Sequence, residues 1–177
     1  MKWHKLSSRQ EKAGYKTITY KDFRMPDGSV HEYTTWGKAG TQVVGTIAIT
    51  KDKQVIIAKQ FRAGPEKIMY ELPAGVANKN EPLEEAARRE LKEETGYETK
   101  DELVNLGASY RDAYLNETSN YYLALNCRKT SKQSLDDTEY IKVELISIDE
   151  LINYAKNAGI TDGIAVLMAY DQLQSIK

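Results

Sequence analysis

The chain has one cysteine, Cys127, so no intramolecular disulfide can form. Cys127 lies in the apolar run 121–127, where a small core residue is expected, not a nucleophile. No segment approaches the apolar length needed to span a bilayer, and the opening MKWHKLSSRQ has no stretch of signal-peptide type. A reduced cytoplasmic setting without a membrane partner is the expectation. A strong charge of either sign is also missing. The formal net charge is −1, which leaves no electrostatic footprint for nucleic acid or an anionic membrane. Internal repeats, low-complexity segments and a βαβ rhythm are absent as well, which excludes repeat architectures and the doubly wound parallel folds.

What is present suffices for one domain with, at most, a small extra lobe. A chain of 177 residues buries roughly 70% of its unfolded surface and needs no covalent staples. Residues 1–40 are polar and aromatic. Within them 15–25 and 29–36 read as strands on either side of Pro26-Asp27-Gly28, a turn in which each residue has its own mechanism. Such a polar hairpin does not stand alone, so this N-terminal antiparallel β lobe must lie on the main body or on another subunit. The rest, 41–177, has a different character. The β-branched runs 41–50 and 54–61 form a second hairpin, followed by a short strand at 68–72. A helix from about Pro82 to Thr95 comes next, then strands 102–110 and 120–127 around an irregular loop, 111–119. A strand at 139–146 leads into a helix opened by a capping box of Ser147 with Glu150 and ending near Gly159. A last helix, capped by Thr161 or Asp162, runs to about Ser175. The class is α+β, a mixed sheet between helices.

The informative stretch is 75–97, GVANKNEPLEEAARRELKEETGY. Pro82 suits the first helical position, Asn80 or Glu81 the cap, and Gly96 a left-handed terminator. On this helix Leu83, Ala87 and Leu91 form an apolar stripe, and Glu90 and Glu94 stand at its edge, one turn apart. Glu84 with Arg88 and Glu85 with Arg89 make i,i+4 pairs on the opposite side. Two stacked carboxylates beside an inward face repel each other and resist desolvation. A hard divalent cation relieves both costs, and Glu93 can add a third carboxylate.

The full pattern, G-x5-E-x7-R-E-L-x-E-E-x-G-Tyr, resembles the box of the Nudix hydrolases at every position but the last, where Tyr97 replaces a usual aliphatic residue. The resemblance covers about Thr41 to the C-terminus and implies the family's α/β/α sandwich with a mixed sheet. It implies Mg²⁺ or Mn²⁺ held by Glu90, Glu94 and the carbonyl of Ala74, with Glu93 as a further ligand or base and Arg89 holding the glutamates. Gln60-Phe61-Arg62, Glu71-Leu72-Pro73-Ala74-Gly75 and the strand-rich lobe are similar to the ADP-ribose pyrophosphatase branch. In that branch the lobe is exchanged or packed between two subunits, so a homodimer is implied, with Arg62 on substrate phosphate and Glu71 beside it. Glu117 falls where the branch has a mobile glutamate that serves as base or as a metal-linked helper. Tyr33 and Trp36 are candidates either to stack on an adenine or to pack at the dimer interface.

The branch's proline beyond the box, near what is here Ala113, is missing, since no proline follows Pro82. Tyr114 lies close to a tyrosine typical of diadenosine polyphosphate hydrolases, which lack the lobe. The expected activity is metal-dependent cleavage of ADP-ribose to AMP and ribose 5-phosphate. Another nucleoside diphosphate sugar or a dinucleotide polyphosphate is the alternative substrate. A non-catalytic nucleotide-binding module is the alternative from another class.

Overall fold

The structure, a computed structural model, describes residues 2–14 and 16–177; Tyr15, at the head of the expected strand 15–25, lies outside them. The chain divides into two compact units.

The first unit comprises Met1–Gln42 and Tyr110–Thr118. It contains β1 (His4–Ala13), β2 (Lys16–Arg24) and the first part of β3 (Val30–Thr50). β1 pairs antiparallel with β2 from His4↔Arg24 to Ala13↔Lys16, and β2 with β3 from Ile18↔Trp36 to Arg24↔Val30. The turn at Pro26-Asp27-Gly28 forms as its residues require. Gly28 has φ +89° and donates its N–H to Met25 O at 3.0 Å, and Asp27 accepts the N–H of Ser29.

Two differences from the sequence reading concern this unit. β1 was not expected, because all ten of its residues are exposed and it carries no apolar alternation. Its backbone pairing with β2 is what holds it. The strands expected at 29–36 and 41–50 are one strand, β3, in which Gly37 (φ +82°) and Gly40 (φ +83°) supply left-handed kinks without ending the strand.

The second unit comprises Val43–Ser109 and Ser119–Lys177. After the rest of β3 come β4 (Gln54–Arg62), β5 (Lys67–Glu71), β6 (Ala74–Val76) and α1 (Leu83–Thr95). Then follow β7 (Tyr97–Glu98), β8 (Val104–Ser109), the larger part of β9 (Leu115–Lys129) and β10 (Lys142–Ser147). The chain closes with α2 (Ile148–Lys156), α3 (Gly163–Met168) and α4 (Tyr170–Ile176). β4 is the hub. It pairs antiparallel with β3, β5 and β10, while β6 pairs with β3 and β8 with β9.

Strand periodicity sorts the core into two layers. Ile47, Ile49, Val55, Ile57, Tyr121 and Leu123 point to one face, against Leu151 and Ile152 of α2, Val166 of α3 and Leu173 of α4. Val44, Ala48, Ile56, Tyr122 and Ala124 point to the other, against Ala86, Ala87 and Leu91 of α1. A sheet covered on both faces by helices is the α/β/α sandwich of an α+β chain.

The capping box is present: Ser147 Oγ accepts from Glu150 N, and Glu150 Oε2 accepts from Ser147 N. The helix it opens ends at Lys156, and the last helix breaks into two at Ala169. Asp162 is the N-cap of α3 as expected, but its side chain makes no cap bond, since the buried carboxylate accepts from Thr161 Oγ1 and Tyr121 Oη instead. β9 begins at Leu115, inside the expected loop, because Asn116 donates across the first unit to Thr35 Oγ1 and Gly37 O. β10 begins only at Lys142, so Glu139 lies before the strand expected to contain it.

Candidate active site

The helix that carries the acidic pattern begins one residue later than expected. Pro82 is the N-cap itself (ψ 135°), and no side chain caps the helix. Glu81, an expected cap, is drawn elsewhere: it accepts the N–H of Asn78 at 2.7 Å and the Nε of Arg89 at 2.8 Å. The Arg89 guanidinium, with the Asn78 N–H, holds the Glu81 carboxyl down at about 2. Gly96 ends the helix in the left-handed region (φ 75°), its N–H on Lys92 O. Tyr97, the departure from an aliphatic, is half-buried and packs against the α1-side core.

Glu90 and Glu94 both turn inward. Glu94 is 4% exposed and accepts the N–H of Ala74 at 2.9 Å. Glu90 lies against Gly75 so closely that a Cβ there would overlap its carboxylate, which is why this position needs glycine. Burial pushes the Glu94 carboxyl up to about 8, and the charges of Glu90, Glu139 and Glu71 add to it against the opposing Ala74 N–H. Burial raises Glu90 as well, reinforced by Glu93 and Glu139 and opposed by Arg89. Arg89 does not make the expected pair with Glu85. Its guanidinium reaches Glu81, Glu90 Oε1 at 2.8 Å, Glu93 Oε2 at 2.9 Å and the carbonyl of Val76. The more buried carboxylates outcompete the solvated one.

Behind this helix the register Ala58↔Glu71 carries Glu71 into the interior, 5% exposed. There it accepts from Gln60 Nε2 at 3.1 Å and from two nitrogens of Arg62, Nε at 2.8 Å. Glu71 therefore fixes Arg62 through a two-point charge-assisted contact.

Glu139, which no local pattern singles out, is a further acidic residue close to this cluster. The 130–141 segment is tied to the end of α1, where Ser134 N donates to Glu93 O and Gln133 Nε2 to Glu94 O. This brings Glu139 within electrostatic range of both Glu90 and Glu94. Its acidic surroundings, Asp136 and Asp137, were the available signal, but nothing local distinguishes them from a solvated turn.

Of the expected site residues, Arg62, Glu71, Ala74, Arg89, Glu90, Glu93 and Glu94 all lie in the second unit. Tyr33, Trp36 and Glu117 lie in the first. Tyr33 and Trp36 sit three apart on β3 and so face opposite sides. Tyr33 packs against Trp3 and Phe23, with ring centroids 5.0 and 6.0 Å apart, while Trp36 is 45% exposed. They do not form one stacking platform. Glu117 stands on strand β9, not on a loop, with its carboxylate against Gly37.

The NUDIX domain model matches residues 41–165. The chain belongs to the Nudix family. It is 30% identical over 155 residues to the methanol dehydrogenase activator of Bacillus methanolicus, covering 86% of this chain and 83% of that protein. It is likewise 30% identical over 156 residues to the ADP-ribose pyrophosphatase of Bacillus subtilis (strain 168), with the same two coverages. A solved ADP compounds hydrolase superposes with a TM-score of 0.80, covering 99% of this chain and 96% of that one at 22% identity, and so shares the fold. This Nudix hydrolase is an enzyme acting on a diphosphate, of the ADP-ribose pyrophosphatase-like branch.

Nudix hydrolases use divalent metal ions, and the residues here can be tested for one. Among the described residues no three acidic, histidine or cysteine side chains converge as a ready ligand set, because Arg89 holds Glu90 and Glu93. The donor chemistry nevertheless fits. Glu94 is a buried and Glu90 a half-buried carboxylate, each with a raised affinity for a proton, and Gly75 leaves the room beside them. Oxygen donors without thiolate or imidazole suit a hard cation. Near this site a cavity of about 460 Å³ is lined by Lys59, Phe61, Ile68, Thr138, Tyr140 and Lys142. Thr138 and Tyr140 flank Glu139, and Phe61 precedes Arg62. No helix of the described residues is long and apolar enough to cross a membrane.

Proposed function

We propose that this Nudix hydrolase cleaves ADP-ribose to AMP and ribose 5-phosphate with Mg²⁺ or Mn²⁺. The observation that carries the reading is the inward-turned pair Glu90 and Glu94, one turn apart and facing the Ala74-Gly75 backbone. The choice of substrate is supported by the Bacillus subtilis relative and by the Glu71-anchored Arg62.

Glu90, Glu94 and the carbonyl of Ala74 would hold the divalent ion, with Glu93 joining when it leaves Arg89. The ion, when bound, neutralises diphosphate charge and acidifies water. The chain does the rest. Arg89 keeps the glutamates of α1 in one orientation, and Arg62, steered by Glu71 and Gln60, contacts a substrate phosphate. Glu139 takes the proton of the attacking water, a role for which Glu93 and Glu117 are the other candidates. The cavity lined by Phe61 and Tyr140 gives the substrate an aromatic wall beside Glu139.

We further propose a homodimer contacted through the first unit, where β1 exposes all ten residues.

The test is phosphate release through a coupled phosphatase from ADP-ribose, several sugar nucleotides and a diadenosine polyphosphate, each with Mg²⁺ and with Mn²⁺. Preference for ADP-ribose is the expected result. Preference for another substrate would overturn the substrate assignment and leave the reaction class standing.

A further inference from the structure

We infer that Gln133 is a positioning residue for this reaction, setting where Glu139 stands relative to Glu90 and Glu94. The inference rests on the reading of Glu139 as the base given above.

The side-chain amide of Gln133 has two N–H donors on one nitrogen, and both are used. One goes to Glu94 O at 2.7 Å and the other to Ile141 O at 3.0 Å. The two acceptors have different jobs. Glu94 carries on one residue both the buried carboxylate that faces Ala74 and the carbonyl that Gln133 grips. Ile141 is buried and precedes β10, so it marks the far end of the arc that holds Glu139. One nitrogen thus fastens both feet of the 133–141 arc to the residue at the centre of the site.

Inside the arc Glu139 is held by its own turn. Its N–H donates to Asp136 O at 2.9 Å, and its carboxylate accepts the Asp136 N–H at 3.1 Å. The turn is therefore a compact unit, and its placement depends on its feet. A purely structural role would only satisfy a helix-end carbonyl. Ser134 N already does this for Glu93 O at 2.8 Å, and Thr130 N for Gly96 O at 2.9 Å. The second bond, to Ile141 O, adds nothing to the helix. It closes the arc.

The experiment compares Gln133→Ala, Gln133→Met and Glu139→Gln in the full chain, with ADP-ribose and Mg²⁺. Gln133→Met keeps the packing volume and lacks both donors. Both Gln133 variants are expected to lower kcat about tenfold to a hundredfold, with KM within about twofold. Amide exchange over 134–141 should quicken. The double variant Gln133→Ala, Glu139→Gln should be no slower than Glu139→Gln alone, because the two substitutions remove one function. If the Gln133 variants lose thermal stability but keep kcat, or if the losses multiply in the double variant, the inference is overturned. If Glu139→Gln itself keeps full kcat, the reading of the base fails and the inference falls with it. A slow Glu139→Gln beside a normal Gln133→Ala removes the inference alone.

Discussion

Stripped of divalent cations, this protein should become less stable as the pH rises from 5 to 8.5, opposite to the usual behaviour of a carboxylate. The cause is Glu94. Burial, with the charges of Glu90, Glu139 and Glu71, raises its carboxyl from 4.5 to about 8 on folding. The folded state then binds the proton more tightly than the unfolded chain. Its stabilising contribution is complete below about pH 4.5 and is lost progressively as the pH climbs through about 8. At 1.36 kcal/mol per unit, the difference across that window is about 5 kcal/mol, an upper figure for one group. In a chain of this size, where 1 kcal/mol moves the midpoint by about 2–4 °C, the melting temperature should fall measurably, by at most about 10–20 °C. Glu90, raised in the same direction, adds to the fall.

The window isolates the effect. Glu81 shifts from 4.5 to about 2 and Cys127, raised by burial, from 9.0 to about 11, so both contribute little to the slope between pH 5.5 and 8. The assay is thermal unfolding by circular dichroism in a chelator, at half-unit steps of pH, repeated with millimolar Mg²⁺. The cation needs ionised carboxylates, so its stabilisation should be greatest at the alkaline end, where it removes the slope. Glu94→Gln should flatten the chelated profile and blunt the response to the cation. A chelated wild type whose melting point holds level from pH 5.5 to 8.5, or a Glu94→Gln variant that keeps the slope, would refute the reasoning.

Three further outcomes follow from the same geometry. Gly75→Ala puts a methyl group into the space of the Glu90 carboxylate and should weaken Mn²⁺ binding about tenfold in calorimetric titration, with little change in the circular dichroism spectrum. Glu71→Gln removes the charge that grips Arg62 at two points. KM for ADP-ribose should rise about tenfold with a smaller change in kcat, and an unchanged KM would detach Arg62 from the substrate. Arg89→Ala leaves Glu81, Glu90 and Glu93 without their shared cation. Stability in urea should drop by about 2 kcal/mol, since the arginine is partly exposed and solvent screens part of the loss.

The parts of this site that were legible in the sequence are those whose geometry is local. Helical spacing alone places Glu90 and Glu94 one turn apart beside Ala87 and Leu91. Gly96 at φ 75° and the Ser147–Glu150 box follow from residue chemistry within a few positions. Spacing was less decisive where it offered two partners. The helical net allows Arg89 to meet Glu85 or Glu93, and only the half-buried position of the Glu81, Glu90 and Glu93 carboxylates selects the second face. The strand joints were misread for a related reason. Gly37 and Gly40 signal a break to any local rule, yet β3 runs through them because its residues are paired on either side, with β2 and then with β6 and β4.

Glu139 lies beyond any local rule. Nothing near it in sequence marks it, since the polar stretch 130–140 has the composition of a solvated loop. Its place depends on the last carbonyls of α1, which a helix leaves unpaired and another part of the chain must satisfy. The 130–134 stretch satisfies them, Gln133 reaches on to Ile141, and the acid between those points comes within electrostatic range of the two glutamates of the box. The demand of the helix end is readable from the sequence; which segment answers it, more than thirty residues further along the chain, is decided only in three dimensions.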